Sequence, residues 1–287
     1  MRRQYWLYGL LPAFIVYALF FVAPTVTFLR VSFNNSIGPG LIGNGGTIEN
    51  FKEVLTESSY LASIQTTLTI AVLVAVISLI IAYPLAHMIA RSRRWGNTIF
   101  LIVVLTLFGS TVVAALGWEV ILGPTGPLSR VLINLHLIGA PLQLSESVTG
   151  VVIGLVQAVV PIMVLGILPV SEAVDPDLVT AAHGLGASEW YTFWRVVMPL
   201  TMRGAVTLLT LGFATTAGSF TTVAILGGGR VLTLPVLVQQ EAMDILDYPL
   251  AAALSAVLLV GVFILVTAAT YFSNRRSVAF SGGMSVR

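Results

Sequence analysis

The chain has 287 residues, of which 57% are hydrophobic and only 9% are charged, with a net charge of +2. Soluble domains carry about 25% charged residues, so a soluble globular fold is excluded and the chain reads as a polytopic membrane protein. It has no cysteine, which excludes disulfides and thiolate metal sites.

Met1-Arg2-Arg3-Gln4 leads into an apolar run too long for a cleavable signal, so the first run is expected to be an anchor. Six runs can cross about 30 Å of hydrocarbon as helices. They lie near 6–29, 61–89, 98–122, 148–170, 204–226 and 250–272. The expected fold class is all-α: a single transmembrane domain over 1–287, built as a polytopic bundle of about six transmembrane helices. Pro24, Pro84 and Pro161 fall inside spans, where kinks are tolerated if neighbours re-satisfy the freed carbonyls. The runs lack the alternation of a membrane barrel.

Orientation follows from the basic residues. Under the six-span pattern Arg2, Arg3, Arg91, Arg93, Arg94, Arg195, Arg203, Arg275, Arg276 and Arg287 fall on one side, and Arg30, Lys52, Arg130 and Arg230 on the other. That bias predicts both termini in the cytoplasm. His87, His136 and His183 lie far apart in sequence, so no metal site is expected from them.

Between the first two spans, Gly38-Pro39-Gly40 and Gly43-Asn44-Gly45-Gly46 read as external turns. Thr47 can N-cap a short amphipathic helix running through Leu55, along the outer surface or over the bundle. Arg91-Ser92-Arg93-Arg94-Trp95 reads as an internal anchor, too short and too closely flanked by spans to bind nucleic acid. The third span ends in Trp118-Glu119, then Gly123-Pro124. Glu119 is the only carboxylate inside an expected span; such a group lines a wet path or reaches interfacial water.

The segment 172–203 is the long polar and aromatic connection between spans four and five. Thr180, Ala181 and Ala182 open a compact turn that Gly184 and Gly186 break; Ala187 follows, and Ser188 can cap a second helix beginning at Glu189. Trp190, Phe193, Trp194 and Val197 recur at helical spacing, so that helix has one apolar face, and Pro199 is expected to end it. An ordinary connecting loop is the plain alternative.

The spacing Thr180-Ala181-Ala182, three residues, Gly186, nine residues, Val196-Val197-Met198-Pro199 resembles the cytoplasmic loop of binding-protein-dependent ABC importer permeases. That loop carries E-A-A, then Gly, then I-x-L-P at the same distances. Thr180 stands where the family has glutamate. The Trp118 turn resembles the same family, and Asp247-Tyr248-Pro249-Leu250 resembles its subgroup that imports polyamines, opines, phosphonates, ferric iron and related small charged solutes.

The fifth span carries Thr215, Thr216, Ser219, Thr221 and Thr222 around Phe220. Such hydroxyls bond back to the helix, cross to a neighbour, or line a cavity. Gly227-Gly228-Gly229 lack the Lys and Ser/Thr of a phosphate loop. Glu241, Asp244 and Asp247 are read as an external acidic cluster on a short helix.

The resemblance implies an inner-membrane permease subunit, not itself an enzyme, forming half of a path for a small charged solute. It implies a second permease subunit, an ATPase dimer holding ATP and magnesium inside, and a periplasmic or extracellular solute-binding protein outside; the second permease is either another copy or, as expected here, a different chain. The substrate path would include Trp118, Glu119, Thr216, Ser219, Phe220 and Thr222. The acids favour a polyamine or other amine-bearing cargo by electrostatics; equally they could be a solvated face or a contact for the binding protein. Sulfate, phosphonate, thiamine or ferric iron fit the same scaffold. A secondary transporter would need ion-coupling carboxylates or broken helices at the midplane, and only Glu119, near a span end, offers itself. An intramembrane enzyme would need a positioned pair such as Ser110 and His87.

Overall fold

The computed structural model describes residues 5–92 and 94–281; Arg2, Arg3, Arg93 and Arg287 of the charge bias lie outside them. Helices α1 (Tyr5–Tyr17) and α2 (Ala23–Val31) are joined through a π turn, Ala18–Val22, into one apolar rod. Pro24 is tolerated because it occupies the first turn of α2. Strands β1 (Asn34–Gly38) and β2 (Leu41–Gly46) pair antiparallel where the sequence suggests turns alone.

The long helices are α4 (Ser58–Arg91), α8 (Val148–Glu172), α11 (Met198–Ala217) and α14 (Tyr248–Ser281). Shorter ones are α3 (Glu49–Thr56), α5 (Gly96–Leu107), α6 (Thr111–Leu122), α7 (Pro127–Asn134), α9 (Pro176–Gly184), α10 (Glu189–Thr192), α12 (Thr221–Gly227) and α13 (Leu234–Gln239). Among the described residues five helical stretches are long and apolar enough to cross a membrane, or six when the bent pair Glu189–Met202 and Gly204–Ala217 is counted as one span.

Two spans differ from the continuous helices expected. The third is interrupted at Phe108–Ser110, where Phe108 bonds back to Leu105 and Ser110 turns extended before α6 begins. The fifth is interrupted at Gly218–Phe220 between α11 and α12. A short glycine-containing break barely lowers the mean hydropathy of a run, so the pattern of apolar residues does not register it.

The structure forms two compact units, Met1–Ile64 with Leu234–Val260 and Gln65–Thr233 with Gly261–Arg287. In the first, Val54, Tyr60, Leu234, Leu237, Leu250, Ala253 and Leu254 make the core. Thr47 accepts from the Glu49 amide at the start of α3, and Asn50 donates to the carbonyls of Ser32 and Asn34 at 2.8 and 2.9 Å. That buried amide fixes α3 against the start of the hairpin. In the second unit, α8 packs against α11 and α12 at very short range. A side chain at Gly154 would strike Leu226 and Thr222, one at Gly166 would strike Leu208, and one at Gly212 would strike Met163. Small residues at such crossings let backbones approach where lipid provides no hydrophobic drive.

Candidate functional site

The connection after α8 begins with Asp175, whose carboxylate accepts from the Asp177 amide and caps α9, with Pro176 in the first turn. The Thr180 hydroxyl donates to its own helix at Pro176 O, 3.0 Å, so it is engaged locally. The helix ends in a left-handed glycine: Gly186 has φ +85°, its amide donates to His183 O at 2.9 Å, and the Ala187 amide donates to Ala182 O at 3.0 Å. Those paired bonds satisfy the last carbonyls of α9. Ser188 then caps α10, its hydroxyl oxygen accepting from the Tyr191 amide at 3.3 Å.

The chain next passes through a π turn, Phe193–Val197, directly into α11. Pro199 therefore does not end the helix, contrary to the expectation from sequence. It stands in the first turn of α11, where a proline's missing amide is harmless. The direction changes instead by 69° between Glu189–Met202 and Gly204–Ala217. The aromatic face divides. Phe193 and Val197 are buried, whereas Trp190 is 69% and Trp194 45% exposed, with Glu189, Leu185 and Tyr191 also exposed. The rings of Trp190, Phe193 and Trp194 lie 5.5 to 6.3 Å apart, so exposed and buried aromatics form one cluster.

The two broken spans meet at a cavity of about 290 Å³ between α5, α6, α8, α11 and α12. Thr106, Thr111, Gln157, Thr215, Thr216, Ser219 and Thr222 supply its polar lining, and among the described residues no charged one lines it. The Thr215 hydroxyl donates to the carbonyls of Leu211 and Gly212 at 3.0 Å. The Thr216 hydroxyl is buried and finds no partner among the described residues. A buried, unspent hydroxyl beside an amide is suited to a polar solute.

Of the residues expected along a path, Thr216, Ser219 and Thr222 come together here. Phe220 is 38% exposed and outside the lining, and Glu119 is exposed away from it. Trp118 lines an adjoining apolar groove with Ile77, Ile81 and Pro161, which shares Thr106 and Gln157 with the cavity. Gln157 is missed by the sequence reading; a lone side-chain amide midway along span four was the available signal. Ser110 sits in the α5–α6 break while the His87 ring packs 5.1 Å from Phe193, so the two do not form a nucleophile and base.

The external acids do not form one solvated cluster. Glu241 is buried on a π turn, Gln240–Ile245, and accepts from the Tyr60 hydroxyl at 3.2 Å. Burial pushes its carboxyl up; Tyr60's bond opposes this, while Asp247, Glu53 and Glu57 add to it. Asp247 caps α14 by accepting from the Leu250 amide at 3.0 Å, and only Asp244 is fully exposed.

Residues 64–278 match the model of binding-protein-dependent transport system inner membrane components. The chain belongs to that family. It is an ABC importer permease subunit and an inner-membrane protein. It is 30% identical over 239 residues, 83% of each chain, to the spermidine/putrescine transport system permease protein PotB of Haemophilus influenzae. It is 28% identical over 224 residues, 77% of this permease and 78% of the other, to the sulfate transport system permease protein CysW of Synechocystis. Its fold matches a chain of a bacterial ABC transporter involved in the import of the acidic polysaccharide alginate with a TM-score of 0.79 over 96% of both chains, at 18% identity. A chain of the MetNI methionine ABC transporter gives 0.54 over 76% of this permease and 94% of that chain, at 16% identity.

Proposed function

We propose that this permease forms half of the translocation path for a polyamine or another amine-bearing solute, with residues 172–203 as the loop that docks on an ATPase. The observation that carries the reading is the hydroxyl- and amide-lined cavity, set between two broken spans of an otherwise apolar bundle. Irregular backbone is tolerated at membrane depth where it lines a cavity. The exposed Trp190 and Trp194 at the glycine-capped turn supply a docking face. The similarity to PotB supports the cargo.

The whole chain works as one transmembrane domain with both termini in the cytoplasm. It pairs with a different permease chain, receives cargo from an external solute-binding protein, and leaves ATP and magnesium to an ATPase dimer. It performs no catalysis. Trp118, Glu119 and Phe220 lie beside the path and not on it. With no charge on the lining, affinity for a cation is set outside this cavity, by the binding protein and the partner permease. The same neutrality, with the similarity to CysW, supports oxyanion import as the second reading. Uptake into proteoliposomes holding the complete transporter separates them. Labelled spermidine should enter on ATP addition and sulfate should not, and Thr216→Val should slow entry. Sulfate uptake without spermidine uptake would replace the first reading with the second.

A further inference from the structure

The last turns of α4 present Tyr83, His87 and Arg91 at successive four-residue intervals, hence along one helical face. Each reaches a different part of the 172–203 segment. The Arg91 guanidinium donates to Val174 O at 3.4 Å, on the limb arriving from α8. The His87 ring lies 5.1 Å from Phe193, in the middle. Tyr83 meets Phe193 edge-on at 5.7 Å, and its hydroxyl bonds with the Thr201 hydroxyl and with Met198 O, on the limb leaving into α11.

Phe193 is the shared point. On one side it stacks with Trp190 and meets Trp194 edge-on, and on the other it holds both α4 rings. It also opens the π turn Phe193–Val197, a geometry that recurs at functional positions. The packing is polar and unsatisfied. His87 Nδ1, Thr192 Oγ1 and Ser171 Oγ are buried with no hydrogen-bond partner among the described residues. Unrecovered desolvation of this kind marks a packing that a second arrangement of the same groups can rival.

We propose that Tyr83, His87 and Arg91 are positioning residues that lock α4 to the docking loop, so that displacement of the exposed tryptophans moves α4 through Phe193. This rests on the docking reading of the loop given above. None of the three lines the cavity; they act through Phe193, Thr201 and Val174.

The test uses the complete transporter in proteoliposomes, with this permease, its partner, the ATPase subunits and the loaded binding protein. His87→Ala should lower kcat for binding-protein-stimulated ATP turnover at least tenfold, leaving KM for ATP and ATPase co-purification within twofold. His87→Phe, which restores a ring against Phe193, should recover most of that loss. A parallel fall in co-purification, unchanged turnover, or no rescue by His87→Phe would each overturn the proposal. Should His87→Ala fail to accumulate in the membrane, Tyr83→Phe, which deletes one hydroxyl, decides by the same readouts. Gly186→Val separates the two levels. Uncoupling by Gly186→Val with none by the α4 variants refutes the lock alone, whereas coupling retained in Gly186→Val refutes the docking reading beneath it.

Discussion

Replacing Gly186 with valine tests the loop at its most constrained point. Its φ of +85° lies in the left-handed region, and an added Cβ would meet no atom within 4 Å. The penalty is therefore backbone strain, not collision, about 1–3 kcal/mol for a residue held in a sparsely populated region. Valine belongs at the upper end because it is β-branched. That corresponds to roughly fivefold to a hundredfold in the population of the capped turn. Relief of the strain must break the Ala187–Ala182 or Gly186–His183 bond, which swings α10 with Trp190, and the π turn with Trp194, away from α9. Membrane expression should stay near normal because Gly186 is exposed. Co-purification of the ATPase and solute-stimulated ATP turnover should fall by about tenfold or more, and Gly186→Asn, which tolerates the left-handed region, should lose far less. Full coupling in Gly186→Val would refute the reasoning, since the turn would then be a plain connector.

The remaining predictions concern other parts of the molecule. Because the Glu241 carboxyl is pushed up by burial, its stabilising contribution is complete below the unfolded carboxylate's pKa and is lost as pH rises through the folded value. The purified protein should melt higher at acid than at neutral pH, and Glu241→Gln should flatten that dependence in a thermal melt. Thr216→Val removes a hydroxyl with no partner, so thermal stability should hold or rise by about 1 kcal/mol while uptake falls. Glu119→Gln, exposed and outside the cavity, should keep uptake within twofold in the same assay. Single cysteines at Ser92 and Ser188 should resist an impermeant thiol reagent in intact cells while one at Asn44 labels; external labelling at Ser188 would reverse the orientation.

Features written in local chemistry were legible before any coordinates. The apolar runs mark the spans because each residue contributes independently to burial in lipid. The Gly186 turn and the Ser188 cap follow from residues whose backbone preferences act within a few positions. What escaped depends on distant partners. Glu241 reads as a surface acid until Tyr60, 181 positions away, is brought over it. Gln157 gains meaning only when α11 and α12 bring Thr216 and Ser219 beside it. Pro199 misleads for a different reason: proline stops a helix in its interior but not in its first turn, and the π turn places α11's first turn there.

The two interruptions, at Phe108–Ser110 and Gly218–Phe220, both border the same cavity. A continuous helix resists bending because its ladder of amide bonds must stretch. At these two places the ladder is already open, so each span behaves as two rigid rods on a joint. The cavity can widen or narrow by rotation about the joints while every remaining helical bond keeps its length. On the proposed function, motion delivered at one end of such a bundle would change the volume of this cavity without unwinding helices within the membrane.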